Sequence, residues 1–201
     1  MKKYMPRKNS FKLKIRKLLN KFIKIPEKYI QMKLPVVKIT KRFEEMLRDK
    51  VEHNVLGAEI REANSEDLES ILNVYDQAWH STTMPFVPIT KKKLVSLLRN
   101  SNYTILIAKV DEIDSAFAII YVTGDDKEIG VIGILAVAPE HQHKGLGTIL
   151  GIAIWDYFIR KGVNELRCRV YFDNTASYTF LRRLGFEEDH EAGDFKYAYT
   201  F

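Results

Sequence analysis

The chain has 201 residues, 46% of them apolar, which is enough for one folded domain of ordinary size with an appendage. Its longest apolar stretch, from Val131 to Pro139, falls far short of the ~20 residues that span a membrane. Its single cysteine, Cys168, excludes disulfide frameworks and cysteine-based zinc sites, and it favours a reducing, cytoplasmic compartment. We also expect no metal.

Charge divides the chain into two unlike parts. The first 50 residues hold 17 Lys and Arg against 4 Asp and Glu, whereas the remainder holds 15 against 22. The net charge of +6 therefore comes from the N-terminal quarter. This distribution excludes a uniformly basic nucleic-acid-binding fold.

Residues 1–56 are predicted to form a basic, largely helical extension ahead of a domain at residues 57–201. Apolar residues recur at helical spacing from residue 10 to 25, with Lys and Arg between them, and a second helical pattern runs from Lys41 to His53. We expect residues 1–26 to dock on this or a second subunit, as in a homodimer, or to bind an anionic membrane surface or nucleic acid. These alternatives stay open.

Strand and helix patterns alternate from Glu59 onward. The predicted strands are Glu59–Ala63, Tyr103–Val110, Ser115–Thr123, Gly130–Ala138, Glu165–Phe172 and Phe195–Phe201. The predicted helices are Ser65–Trp79, Lys91–Arg99, Leu146–Lys161 and Thr175–Leu184. This order predicts a mixed α/β fold of the α+β type, with a central sheet and helices on both faces.

The most informative segment joins the apolar strand Gly130–Ala138 to the helix that begins at Leu146. The loop between them contains Gly145, and Gly147 lies in the first helical turn. Glycine lets a backbone approach a ligand closely, and a helix N-terminus offers unpaired N–H groups and partial positive charge. The pattern therefore predicts a phosphate site, and a glycine-rich helix cap without a ligand is the alternative. The spacing fits neither a Walker loop nor a dinucleotide-binding fingerprint.

Two motifs resemble those of the GNAT (Gcn5-related) N-acetyltransferase superfamily, over a region from about Glu59 to the C-terminus. The first, Gln142-x-x-Gly145-x-Gly147 after Leu135-Ala136-Val137, resembles the acyl-CoA pyrophosphate loop. The second, Asn174-x-x-Ser177 followed by Leu184-Gly185-Phe186, resembles the family's second CoA-contacting segment. The resemblance implies acetyl-CoA-dependent transfer of an acetyl group to a primary amine by direct attack. The amine would belong to a protein N-terminus, a lysine or a small molecule.

The resemblance also implies a cofactor site and its residues. The expected cofactor-binding residues are Leu135, Ala136, Val137, Gln142, His143, Lys144, Gly145, Leu146, Gly147, Thr148 and Asn174. Pantetheine would pair with the backbone of Leu135 and Val137 in a gap between two parallel strands, like an added strand. The Val137 N–H would hold the oxyanion.

The sequence departs from the family pattern at the general acid and base. Many members carry tyrosine where this chain has Leu181, so Tyr178 is the candidate acid, and Glu128 is the candidate base acting through a water. These departures keep open an alternative: a catalytically weak GNAT-fold CoA-binding or regulatory module, tethered by its basic N-terminus. The expected acceptor-pocket residues are Trp79, His80, Phe86 and Tyr121.

Overall fold

The computed structural model describes residues 29–52, 57–82 and 87–190. Its strands are β1 (Tyr29–Pro35), β2 (Glu59–Glu62), β3 (Tyr103–Val110), β4 (Ile113–Thr123), β5 (Ile129–Val137), β6 (Glu165–Tyr171) and β7 (Glu187–Glu188). Its helices are α1 (Lys41–Glu52), α2 (Leu68–His80), α3 (Lys91–Leu98), α4 (Leu146–Arg160) and α5 (Thr175–Arg183). Within these ranges, no helix combines the length and the apolar character that crossing a bilayer requires.

The seven strands form one sheet in the order β2-β3-β4-β5-β6-β1-β7. β5 and β6 are parallel, and the other neighbouring strands pair antiparallel. Helix α4 connects the two parallel strands, as a parallel crossover requires. The predicted mixed α/β fold is thereby confirmed.

Two apolar layers cover the sheet. On the α2 face, side chains of α2 and α3, including Tyr75 and Leu94, pack on β3, β4 and β5. On the α4 face, side chains of α4 and α5, including Trp155 and Phe158, pack on β3, β4, β5, β6 and β1. Phe43 of α1 stacks on Trp155, with ring centroids 5.8 Å apart.

Strand β1 corrects the prediction that residues 1–56 form a largely helical extension. It lies between β6 and β7, and its alternate residues Met32 and Leu34 are buried in the layer on the α4 face. On the opposite face, Lys33 Nζ lies 2.9 Å from Asp189 of the chain after β7. Residues 29–35 are therefore part of the central sheet, although nothing in the sequence analysis assigned them a strand.

From Glu59 to Leu184, the predicted elements agree with the structure to within two residues at each end, apart from a 3₁₀ turn, Ser65–Asp67, that precedes α2. Two other predicted elements, the helix at residues 10–25 and the strand Phe195–Phe201, lie outside the described residues. The predicted docking of residues 1–26 lies outside them as well.

Candidate functional site

The parallel strands β5 and β6 separate from each other half-way along β5. They pair only from Ile129 to Ile132 on β5 and from Glu165 to Cys168 on β6. Beyond this point, β5 stays with β4 as far as Val137, and β6 stays with β1 as far as Tyr171. The sheet is therefore split between the C-terminal ends of β5 and β6.

A bulge at Gly133 marks the start of the split. Along β4, the neighbours Ile119 and Ile120 pair with Ile134 and Ile132, so Gly133 is the extra residue on β5. A bulge bends its strand and increases the local twist. It also reverses the alternation: Val131 before it and Ile134 after it both pack on the α2 face.

The register with β4 sets the direction of the backbone groups along the split. The Ala138 N–H donates to the Ser115 carbonyl at 2.8 Å, so Ala138 turns its polar backbone groups toward β4. In an antiparallel pair these groups alternate between the two sides of the strand. Those of Leu135 and Val137 therefore point away from β4 and into the split.

The loop after β5 leads directly into α4. His143 and Gly145 have positive φ values of 60° and 96°, and Gly145 is the N-cap residue. Thr148 and Ile149 both donate their N–H groups to the Gly145 carbonyl, at 2.9 and 3.1 Å. Helical hydrogen bonding thus begins at Thr148, and the N–H groups of residues 143–147 precede it. Those preceding groups are the donors that an anion at a helix N-terminus engages. Thr148 would have to contribute through its side chain, because its N–H is already used.

Gly147 faces the junction between the split and the two neighbouring helices. A Cβ placed on Gly147 would lie 3.4 Å from the Phe180 ring and 3.5 Å from the Val137 side chain. Phe180 of α5 therefore borders the site together with β5 and α4. The sequence analysis missed this residue, and no motif spacing singles it out.

The Gln142 side chain contacts protein rather than pointing away from it. Its Nε2 donates to the Val137 carbonyl at 2.9 Å and to Ser81 Oγ at 3.0 Å. Gln142 therefore connects the end of β5 with the end of α2.

Residues 65–186 match the sequence model described as the Acetyltransferase (GNAT) family. The chain belongs to this family. A spermidine N(1)-acetyltransferase of Thermoplasma acidophilum is 25% identical over 156 residues, which cover 70% of this chain and 95% of that protein. A mycothiol acetyltransferase of Rhodococcus erythropolis is 36% identical over 67 residues, 33% of this chain. The chain spans only 22% of the length of that second relative.

Solved structures share the fold. The PaiA N-acetyltransferase of Thermoplasma acidophilum, crystallised with coenzyme A, superposes with a TM-score of 0.62 at 23% identity. The superposition covers 69% of this chain and 94% of that chain.

Asn174, the second GNAT motif residue, caps α5 beside the split. Its Oδ1 accepts the Ser177 N–H at 3.0 Å, and its own N–H donates to the Tyr171 carbonyl at 2.8 Å. The residue is 8% exposed and directly follows the two-residue turn after β6. Its expected contact with pantetheine stays a prediction.

The candidate acid Tyr178 is directed away from the split. Its hydroxyl donates to Glu188 Oε1 at 2.7 Å, and this hydrogen bond raises the pKa of Tyr178 above its ordinary value. Glu188 belongs to β7, which lies two strand spacings, about 10 Å, from β6. Leu181, at the position of the usual tyrosine, is buried in the layer on the α4 face.

The candidate base Glu128 directly precedes β5, at the opposite end of the strand from Val137. Its carboxylate accepts the Asp126 N–H at 3.0 Å within the β4–β5 turn. Glu128 precedes Val137 by nine positions, a distance of about 30 Å at ~3.3 Å per residue. A single water does not span such a distance, so the structure gives no support to Glu128 as the base, and that role stays a prediction.

The expected acceptor-pocket residues occupy different surroundings. Trp79 is half-buried and packs on Tyr75 with ring centroids 5.1 Å apart, and His80 is exposed, with Nδ1 2.8 Å from the Asp76 carbonyl oxygen. Both lie at the end of α2, near Gln142. Tyr121, in contrast, is 2% exposed and packs in the core on Tyr103. Its expected place in the acceptor pocket stays a prediction. Phe86 lies outside the described residues.

A polar strip that the sequence analysis missed lies across β6 and β1, on the sheet face opposite α4. Arg169, just past the split, lies over the Tyr29 ring at 4.7 Å and pairs across the strands with Gln31. The Gln31 Oε1 is buried with no hydrogen-bond partner in the structure. Arg167 lies 3.7 Å from Asp189. The strip is visible only once β1 is placed beside β6. In the described ranges, no cluster of His, Cys, Asp or Glu has the composition of a metal site.

Proposed function

We propose that this chain is an acetyl-CoA-dependent N-acetyltransferase that acetylates a primary amine. The observation that carries the proposal is the split of the sheet beyond Ile132 and Cys168, with the backbone groups of Leu135 and Val137 directed into it. Membership of the GNAT family supports the acyl donor. The adjoining N–H groups of residues 143–147 supply the chemistry that a pyrophosphate needs.

Each part of the donor has a counterpart on the protein. Pantetheine amides can pair with the backbone of Leu135 and Val137 as an added strand does. The pyrophosphate would accept hydrogen bonds from the loop and the first turn of α4, where the exposed Lys144 adds positive charge. The adenosine end would then extend toward solvent.

The chemical step needs few protein groups. The neutral amine nitrogen attacks the thioester carbonyl carbon, and the Val137 N–H stabilises the developing oxyanion. The C–S bond then breaks, the nitrogen loses its proton to solvent, and the CoA thiolate leaves. No carboxylate lies on β5, or on β6 beyond Cys168. Protonation of the thiolate by water, without a dedicated acid, accords with the direction of the Tyr178 hydroxyl.

The acceptor is a primary amine that belongs to a protein N-terminus, a lysine side chain or a small molecule. The similarity to a spermidine N(1)-acetyltransferase over most of the domain supports testing a polyamine first. Trp79 and His80 at the end of α2 are the described residues that we expect to border this amine.

A second function is a regulatory module that binds CoA without efficient turnover. The observation that favours it is the placement of both acid–base candidates away from the end of β5: Glu128 lies about 30 Å along the strand from Val137, and the Tyr178 hydroxyl is bonded to Glu188. In this form, residues 1–26 would tether the module to a partner, a membrane surface or nucleic acid.

Two measurements test these functions. Calorimetry with acetyl-CoA should show binding, and the absence of binding would rule out both. Release of free CoA thiol should then be followed with spermidine, a lysine peptide, a peptide with an unblocked N-terminus and an aminoglycoside. Turnover with one amine, with kcat near the 1–10³ s⁻¹ of ordinary enzymes, supports the enzyme. Binding with no turnover on any of them supports the regulatory module.

A further inference from the structure

Gln142 joins three parts of the site through one amide group. Its two Nε2 hydrogens have two different acceptors, the Val137 carbonyl at 2.9 Å and Ser81 Oγ at 3.0 Å. Ser81 Oγ in turn donates to the Ala78 carbonyl of α2 at 2.7 Å. The chain of contacts runs from the split, through the start of the loop, to the end of α2.

Both donors of the amide are used, so Gln142 cannot donate to a pyrophosphate without breaking one of these contacts. We therefore expect Gln142 to position the backbone at the end of β5 and not to bind the cofactor directly. The bond to the Val137 carbonyl fixes the peptide at the end of β5, next to the split.

The end of α2 is the side of the site where the amine is expected. Trp79 and His80 immediately precede Ser81, which follows the last residue of the helix. The Gln142 side chain is thus a direct link between the loop that would hold the donor and the helix end that would border the acceptor.

Resting on the proposed function, we propose that Gln142 is a positioning residue that couples acetyl-CoA binding to the end of α2. An anion bound to the N–H groups of residues 143–147 restrains the residue next to Gln142. That restraint reduces the freedom of the Gln142 side chain, which favours both of its hydrogen bonds at once. Ligand at the loop therefore orders the helix end through Ser81, and such a coupling is a difference in free energy between two states of the same element.

The chain offers a matched control for the Ser81 contact. Thr82 Oγ1 donates to the Trp79 carbonyl at 2.9 Å, as Ser81 Oγ does to Ala78, at the same end of α2. Ser81→Ala removes a helix-end hydrogen bond together with the link to Gln142. Thr82→Val removes a helix-end hydrogen bond and leaves that link in place.

Amide hydrogen exchange of the full chain, with and without saturating acetyl-CoA, tests the proposal without knowledge of the acceptor. In the unmodified protein we expect acetyl-CoA to slow exchange about fivefold or more, both at residues 139–149 and at residues 76–82. In Ser81→Ala and Gln142→Met, slowing should persist at residues 139–149 and disappear at residues 76–82. Thr82→Val should behave like the unmodified protein.

The outcomes separate the two proposals. Slowing at residues 76–82 that survives in both Ser81→Ala and Gln142→Met would overturn the coupling, as would its absence in the unmodified protein when residues 139–149 are protected. If acetyl-CoA protects neither segment, the proposed function fails and the coupling fails with it. Unchanged exchange in β3 and β4 without acetyl-CoA shows that each variant is folded.

Discussion

The two ends of β5 have similar apolar sequences but opposite surroundings. At the first end, Ile129–Ile132 pairs with β4 on one side and β6 on the other, and Gly130 lies directly under the Phe158 ring. At the second end, Leu135 and Val137 retain only β4 as a neighbour in the sheet. The first end is closed by packing, and the second is open along the β6 side.

This difference between the two ends of β5 explains why the candidate site lies at the second end. The loop glycines alone would make only a helix cap, because a helix N-terminus by itself is satisfied by water or by side chains. Combined with a split sheet, the same loop adjoins a strand edge whose Leu135 and Val137 backbone groups point away from β4. The two features together fit an acyl donor that carries both amides and phosphates.

The largest expected effect is the loss of acetyl-CoA binding at the open end of β5 in Gly147→Glu. The new carboxylate would enter the region bordered by Phe180 and Val137 and repel a pyrophosphate on the adjacent N–H groups. We expect acetyl-CoA affinity measured by calorimetry to fall about 100-fold or more, since several charge-assisted hydrogen bonds are lost together.

Gly147→Ala is the control for this variant. Its Cβ would make ordinary contacts at 3.4–3.5 Å, so affinity should stay close to that of the unmodified chain. Tight acetyl-CoA binding by a folded Gly147→Glu protein would mean that the loop is a cap and not a phosphate site.

The second prediction concerns stability at the closed end, through Gly130→Ala. A Cβ there would lie 2.7–2.8 Å from the buried Phe158 ring, which leaves no room without displacing the ring. We expect urea unfolding to show a loss of about 1–3 kcal/mol, the usual cost of overpacking, with unchanged acetyl-CoA affinity per folded molecule. A marked fall in that affinity would show that the two ends of β5 are not independent.

Much of this contrast could be predicted from the sequence. The apolar run of β5 and the glycines at the start of α4 are local signals, so the elements and the loop were predicted at nearly their observed positions. The split itself was expected only from the resemblance to GNAT proteins. The bulge at Gly133 that marks it has no local signal beyond one glycine in a strand.

The errors arise where distant segments meet. Ile30, Met32 and Leu34 alternate as in a strand, but the segment is basic and ends at Pro35, so the sequence analysis assigned it no element. Without β1, the position of β7 could not be known, and the direction of the Tyr178 hydroxyl depends on Glu188 of that strand. Side-chain direction is decided by such long-range contacts, which spacing in the sequence does not encode.

A smaller effect is expected for Tyr178→Phe. The substitution removes the hydroxyl that donates to Glu188, at a site turned away from the split. With an amine that supports turnover, kcat should fall less than the 10²–10⁴-fold typical of a positioned general acid. Glu188→Gln, which keeps an acceptor for the hydroxyl, is the companion variant and should also leave kcat nearly unchanged. A fall within the range for a general acid, with normal acetyl-CoA binding, would return the acid role to Tyr178.

The smallest effect is expected for Glu128→Gln, at the closed end. The amide oxygen can still accept the Asp126 N–H, so the β4–β5 turn should keep its shape. The carboxylate lies about 30 Å along β5 from Val137, too far for proton transfer through one water. We therefore expect kcat and its pH profile to stay within about twofold of the unmodified chain, because a general base would have to lie within hydrogen-bond reach. If the profile lost its acidic limb in Glu128→Gln, the chemistry would lie at the closed end of β5, and the split could not be the site of acetyl transfer.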